Sequence, residues 1–355
     1  ASFNYNVSVT LTATASTGYT FAGWSGSGCS GVGTCSVTMT ANKSVAATFT
    51  VATHSLTVTS PSNGSITGLG INCGSGQTDC TETYSYGSIV TLTANPATGY
   101  SFSSWTSCDS ASGATCTMTM TADKSGVTAT FAINTYTLTV TPSTGGSVSS
   151  SPAGISCGAT CSATFNYNTA VQLVATPIAG YSFSSWGGAC NGQGATCSLT
   201  LTASVSTWAY FTPNVYTLAA GTPTSGTIYT VSSSTGETVT GIACGTGGVD
   251  CSEQVTYGTT VALRALGDSG YTWLSWGGDC AGQSSAVCVI EPSKDLSVSA
   301  QFTPVFLLTV SEPTGGTVTT SGGSFGITCP GDCSEIYPSG TFVQLTATPS
   351  SGNSF

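Results

Sequence analysis

Cysteine is the residue whose number and spacing hold most of the chemistry this chain could perform. There are 16 cysteines, and they fall into local pairs. An early set comprises Cys73/Cys80, Cys157/Cys161, Cys244/Cys251 and Cys329/Cys333; a late set comprises Cys29/Cys35, Cys108/Cys116, Cys190/Cys197 and Cys280/Cys288. Pairs with no cysteine left over read as a closed disulfide framework, the state that persists in oxidising compartments. Four-thiolate zinc is the competing chemistry. Against it, the gap within the pairs varies and the chain has a single histidine, His54. Haem attachment needs Cys-x-x-Cys-His, which does not occur.

Three other residue sets invite a chemical reading. A serine triad would have to use His54, which stands between Thr53 and Ser55 and reads as a surface histidine between modules. Carboxylates recur just before the second early cysteine as Asp79, Asp250 and Asp332, with Thr160 in the fourth place. Calcium is the sharper reading of these and a turn cap inside a tight disulfide loop the simpler one, since no Asp-x-Asp-x-Asp-Gly ladder accompanies them. Trp24, Trp105, Trp186 and Trp276 recur in register and are either sugar-stacking platforms or core. Each lies on an alternating segment beside Phe or Tyr, which favours the core. Trp208 and Trp273 fall outside that set and are the better candidates for exposed contact. Lys43, Lys124 and Lys294 hold equivalent places and read as solvated residues at the turn before the last strand. No catalytic residue, metal site or cofactor emerges.

What positions these residues is a tandem repeat. The pattern Gly-aromatic-x-aromatic-x-x-Trp occupies residues 18–24, 99–105, 180–186 and 270–276, with Trp spacings of 81, 81 and 90. A second ruler, Leu56, Leu138, Leu218 and Leu308, gives 82, 80 and 90. A fixed period of this size means one module copied in tandem. The units read as a partial module (1–50), full modules at 51–132, 133–212 and 213–303, and a partial module at 304–355. The last full module is longer around residues 225–240, where an extended hairpin is expected.

Segments such as Val171-Gln172-Leu173-Val174-Ala175 alternate apolar and polar residues between Gly, Asn and Ser, the period-two signature of half-buried strands; no long run repeats at helical spacing. The class is therefore all-β: about seven strands per module, as a small sandwich or a compact mixed barrel. A core of this size is marginal without help. Closing a loop of about eight residues supplies roughly 2–3 kcal/mol in the chain-entropy model, so two disulfides per module make a large share of its stability.

Composition sets the environment. Only 5% of residues are charged and the net charge is −10, so Ser, Thr, Gly and Asn must cover the surface. Four basic residues argue against nucleic-acid partners, and no apolar run is long enough to insert in a membrane as a helix. Low charge with high β-propensity favours edge-to-edge association, so self-association, with neighbouring modules or as a homopolymer, is the expected partnership. Glycans are a further possibility, with acceptor patterns at Asn6-Val7-Ser8, Asn42-Lys43-Ser44 and Asn63-Gly64-Ser65. Both ends cut a module open, which reads as a window from a longer tandem protein in preference to a head-to-tail polymer subunit. Junctions such as Phe211-Thr212-Pro213-Asn214-Val215-Tyr216 lack a Gly/Ser linker and predict a stiff array.

The Gly18-Tyr19-Thr20-Phe21-Ala22-Gly23-Trp24 stretch resembles the internalin B-type bacterial surface repeats in their divergent form. The likeness extends to Tyr84-Ser85-Tyr86-Gly87 with Val90-Thr91-Leu92 before that motif, and to the terminal Val45-Ala46-Ala47-Thr48-Phe49 strand after it. The resemblance implies an extracellular, mostly β, β-grasp-like or related module that serves as a spacer or adhesive segment of large bacterial surface proteins. It brings no catalytic residues. The expected function is a non-catalytic structural array, the stalk of a secreted or surface adhesin or the body of an extracellular filament. The rival is a module binding glycans or a host protein.

Overall fold

Strict alternation along the strands builds the fold. In Ile89–Pro96 the side chains of Val90, Leu92 and Ala94 are buried while Thr91 and Thr93 face solvent, so one face of each strand must find a second layer. The computed structural model of the chain describes residues 1–141, 144–157, 161–232, 238–320 and 326–354. Among these residues every regular element is a strand.

The second unit shows the plan. One sheet has the order Tyr100–Thr106, Lys124–Ile133, Thr53–Val58, Thr81–Ser85. Its central pair, the opening strand Thr53–Val58 and the closing strand Lys124–Ile133, is parallel; the flanking pairs are antiparallel. The other sheet is antiparallel, with Thr115–Thr119, Ile89–Pro96, Gly64–Gly68 and Ile71–Gly74 side by side and the short strands Ser110–Ser112 and Gln77–Asp79 at its rims. Leu56, Val58, Val127 and Ala129 from the first sheet meet Ile66, Leu92, Cys116 and Met118 from the second in one core. The unit is thus a sandwich. The β-grasp detail implied by the resemblance gives way to it, because a second sheet covers the face on which a grasp would lay its helix.

The same plan recurs in the third unit and in the fourth. The fourth unit's opening strand Val215–Ala220 pairs with Leu296–Thr309, and Gly226–Val231 pairs with Thr238–Gly245. The turn of the hairpin expected there falls on 233–237, outside the described residues.

Eight disulfides join Cys29–Cys35, Cys73–Cys80, Cys108–Cys116, Cys157–Cys161, Cys190–Cys197, Cys244–Cys251, Cys280–Cys288 and Cys329–Cys333. Their placement is systematic. In the second unit the early bridge runs from Cys73, on Ile71–Gly74 of one sheet, to Cys80, which leads into Thr81–Ser85 of the other. The late bridge runs from Cys108, which follows Tyr100–Thr106, to Cys116 on Thr115–Thr119. Each bridge therefore ties sheet to sheet, one at either open edge of the sandwich. Replacing both Cys190 and Cys197 by Ala removes one such tie. It should lower the unfolding free energy of the third unit by about 2–3 kcal/mol, read as a lower denaturant midpoint with a slope equal to or slightly above that of the parent, since the unfolded state loses a cross-link.

Candidate functional site

The repeated motif and the joints between units are where the recurring residues converge. On the motif strand the second aromatic and the Trp are three residues apart, a spacing that ordinary alternation would send to opposite faces. A bulge resolves it in every copy: the register to the closing strand slips between Phe21 and Gly23, Phe102 and Ser104, Phe183 and Ser185, and Trp273 and Ser275. The extra residue turns both rings inward. The rings of Phe21 and Trp24, Phe102 and Trp105, and Phe183 and Trp186 lie 5.2, 5.9 and 5.8 Å apart. Opposite each Trp the closing strand offers an alanine, Ala47, Ala129, Ala209 or Ala300, which leaves room for the indole.

The indole N–H then holds the late disulfide loop. Trp24 Nε1 donates to the Gly33 carbonyl at 2.8 Å, Trp186 to Gly194 at 2.7 Å and Trp276 to Ser285 at 2.9 Å. Trp105 Nε1 is buried without a partner among the described residues. Trp186 and Trp276 are buried, whereas Trp24 and Trp105 are half-buried. Trp24 packs in the smallest of the clusters, with Cys29, Cys35 and Val37, so fewer neighbours cover its ring. Trp105, lacking the tether, packs against the core rim. Trp273, expected to be exposed, instead packs against the fourth core with a buried nitrogen, because it takes the place of the inward Phe. Trp208 lies half-buried over Gly187, where an added methyl carbon would fall 1.9 Å from its indole nitrogen.

The motif glycine belongs to the joint. The opening strand of each unit follows the closing strand of the one before after a single residue, Ala52, Asn134 or Asn214. That residue is gripped from both sides. Its N–H donates at 2.8 Å to the carbonyl of the preceding motif glycine, Gly18, Gly99 or Gly180. Its own carbonyl accepts from the amide of Tyr86, Tyr167 or Tyr257 in the following unit, at 2.7 to 2.8 Å. The same tyrosine lays its ring on the glycine: a methyl carbon on Gly18, Gly99 or Gly180 would lie 2.3, 2.0 or 2.4 Å from it. Those glycines are also left-handed, at φ +82°, +84° and +80°, so close approach and backbone conformation both call for glycine. The hydroxyls of Ser101 and Ser182 donate to the side chains of Asn134 and Asn214 at 2.6 and 2.7 Å. At the fourth joint Ser339 stands in place of the tyrosine and nothing approaches Gly270. There one strand, Leu296–Thr309, runs through both units, with Val305 donating to Gly270 and Ser339 to Pro304.

The remaining candidates are structural. His54 lies within the opening strand, in the slot that Tyr136 and Tyr216 fill in other units; its ring is 6.0 Å from that of Tyr86 and its Nδ1 is 3.4 Å from Asp123. The Ser55 amide, with His54 beside it, holds the Asp123 carboxyl below the usual range. Lys124 and Lys294 pair with Asp109 and Asp279 on the late loop and do not stand alone in solvent. Lys124 and the Thr119 amide lower the Asp109 pKa; the Ser297 amide and Lys294 lower that of Asp279. Asp79 and Asp250 end the short strands Gln77–Asp79 and Gly248–Asp250, the Asp332 carboxylate accepts from the Ser334 amide, and Thr160 lies outside the described residues. Among the described residues no His, Cys, Asp and Glu gather as a metal site. Burial, then Glu82 and Asp79, raise the pKa of Tyr84, whose hydroxyl donates to the Leu69 carbonyl. Asn6, Asn42 and Asn63 are exposed.

A divergent InlB B-repeat domain model matches residues 1–53, 54–135, 136–215 and 230–306. No curated protein matches. Among solved structures, the Bacillus anthracis TIE protein is similar with a TM-score of 0.42 at 8% identity, over 76% of this chain and 55% of that one. The chain thus spans about half the length of that protein.

Two substitution pairs test the geometry. Gly270→Ala should cost only the 1–2 kcal/mol or so of a left-handed alanine, and Gly180→Ala clearly more, with Tyr257→Ser recovering part of the excess; chemical denaturation of the whole chain reads both. Trp186→Phe should cost about 1–3 kcal/mol, since it removes the bond to Gly194 and leaves unfilled the space of a buried indole. Trp105→Phe should cost less, because it removes a buried donor that has no partner.

Proposed function

We propose that this chain, which belongs to the divergent InlB B-repeat family, is a non-catalytic structural array, the shaft of a large secreted or cell-surface protein. The observation that carries this reading is the joint: one residue between strands, hydrogen-bonded to the unit on either side, with an aromatic ring seated on the glycine of its neighbour. Such a connection has no slack of the kind a Gly/Ser linker provides. Eight disulfides support an extracellular setting, because thiols are kept reduced in most cytosols. That Tyr136 and Tyr216 fill the place of His54 in the other units supports the non-catalytic part.

The path of the chain also suits a spacer. In the second unit the chain enters at Thr53, crosses to the closing strand at the level where Val58 pairs with Val127, and leaves at Ile133. At a rise of about 3.3 Å per residue this is roughly 40 Å of axial length per unit. Small-angle scattering from the intact chain should give an extended particle whose long dimension grows by about that amount per complete unit. A variant with a Gly/Ser segment inserted after Asn134 should give a shorter mean dimension. Equal dimensions for the two proteins would refute the stiff-joint reading.

A further inference from the structure

The central strand pair of each unit is arranged as a lap joint in the path of the chain, and the geometry points to a load-bearing function: each repeat resists tension by parallel strands held in shear. The opening and closing strands are parallel and adjacent, yet they overlap only where the first ends and the second begins. In the second unit Leu56 and Val58 lie opposite Lys124 and Val127; in the third, residues 138–141 lie opposite 205–208; in the fourth, residues 218–220 lie opposite 296–298. The start of the opening strand projects from one end of the overlap and the rest of the closing strand from the other. Tension along the array therefore pulls the two strands past each other, and the hydrogen bonds between them are strained together. In a peeling geometry the same bonds would break one at a time.

The overlap is reinforced at its entrance in all three units and at its exit in the second and the fourth. At its entrance a side chain ahead of the closing strand accepts from an amide of the opening strand: Asp123 from Ser55 at 2.8 Å, Ser204 from Thr137 at 3.1 Å, and Asp295 from Thr217 at 2.8 Å. At its exit the Thr59 amide donates to the Val127 carbonyl and the Gly221 amide to Val298, each at 2.8 Å. The Thr128 hydroxyl adds a bond to the Thr59 carbonyl at 3.2 Å. The two disulfides of a unit lie outside the overlap and tie the second sheet to the edges of the first, so the strands on either side of the lap are held while it is loaded. The one-residue joints pass tension from a closing strand directly into the next opening strand. This inference rests on strand topology within a unit; it gives the shaft reading a load to carry, and it can fail or hold whether or not the joints are stiff.

Single-molecule pulling on the full oxidised chain tests it. Held by handles at its two ends, the chain should unfold unit by unit, each event releasing the length of one unit less its disulfide-closed loops. The control applies force to the same protein through click handles at Thr53 and Ser85, which face each other across an antiparallel pair and so peel the opening strand. End-to-end pulling should require at least about twice the force of the cross-strand geometry, since forced unfolding follows the barrier along the loaded path. Asp295→Ala should lower the end-to-end force of one unit only, with the cross-strand force at Thr53 and Ser85 unchanged. Equal forces in the two geometries, or a lower force end to end, would overturn the proposal.

Discussion

A single bulged residue in the motif strand governs the rest of each unit. Without it, two aromatics three positions apart would point to opposite faces, and the sandwich would lose either its Phe pair or its Trp. With it, Phe183 meets Phe211 across the strands at 6.0 Å and Trp186 faces Ala209. The Trp is long enough to reach past the core to the late loop, where its indole nitrogen fixes the backbone between the two cysteines. One register shift thus links the inner face of the first sheet, the alanine of the closing strand and the disulfide that closes the sandwich edge. The second unit shows the linkage loosened: Trp105 keeps the ring contact with Phe102 but its nitrogen finds no partner among the described residues, and the ring is left half-buried.

The chain has little electrostatic means of stabilising such small sandwiches. Its few ion pairs lie at the surface, where exposed pairs contribute little. Asp109 and Asp279 act mainly as acceptors for the amides of Thr119 and Ser297, fixing the late loop against neighbouring backbone. Covalent ties at both open edges take over the part that a larger core would play, and they do so where a two-layer β structure is weakest, since an edge strand is bonded on one side only. The serine and threonine surface follows from the same logic: side chains that satisfy strand propensity with no charge to repel the neighbouring unit.

Much of this was legible in the sequence. Alternation identified the strands, the repeat identified a module copied in tandem, and the local spacing of Cys190 and Cys197 pointed to pairs within one loop. What the sequence did not reveal was which sheet each strand joins. That depends on the parallel pairing of Thr135–Thr141 with Val205–Pro213, residues some seventy positions apart, and no local pattern encodes it. The three-residue spacing between Phe183 and Trp186 did carry a signal for the bulge, because it breaks a period of two inside an otherwise regular strand. The slot of His54 was missed for a different reason. Its counterparts Tyr136 and Tyr216 are aromatic, and only the structure shows that a ring, not a charge, is what the position holds next to Tyr86.

The motif glycine is the clearest case of a residue whose reason lies in another unit. Within its own unit Gly180 needs only a left-handed turn, which Asn or Asp also tolerates. The ring of Tyr257 from the following unit removes that latitude. The copies within this chain act as a comparison: where the tyrosine is replaced by Ser339, the space around Gly270 is empty, the connection is one residue shorter and the strand Leu296–Thr309 no longer breaks. The amide-to-carbonyl contacts with Gly270 and Pro304 persist. Two solutions therefore meet the same requirement. In one, a broken strand is braced by an aromatic seated on glycine; in the other, the strand runs on and needs no brace. That both leave no slack between closing and opening strands argues that continuity along the chain axis, and not the aromatic contact itself, is what the joint is built to keep.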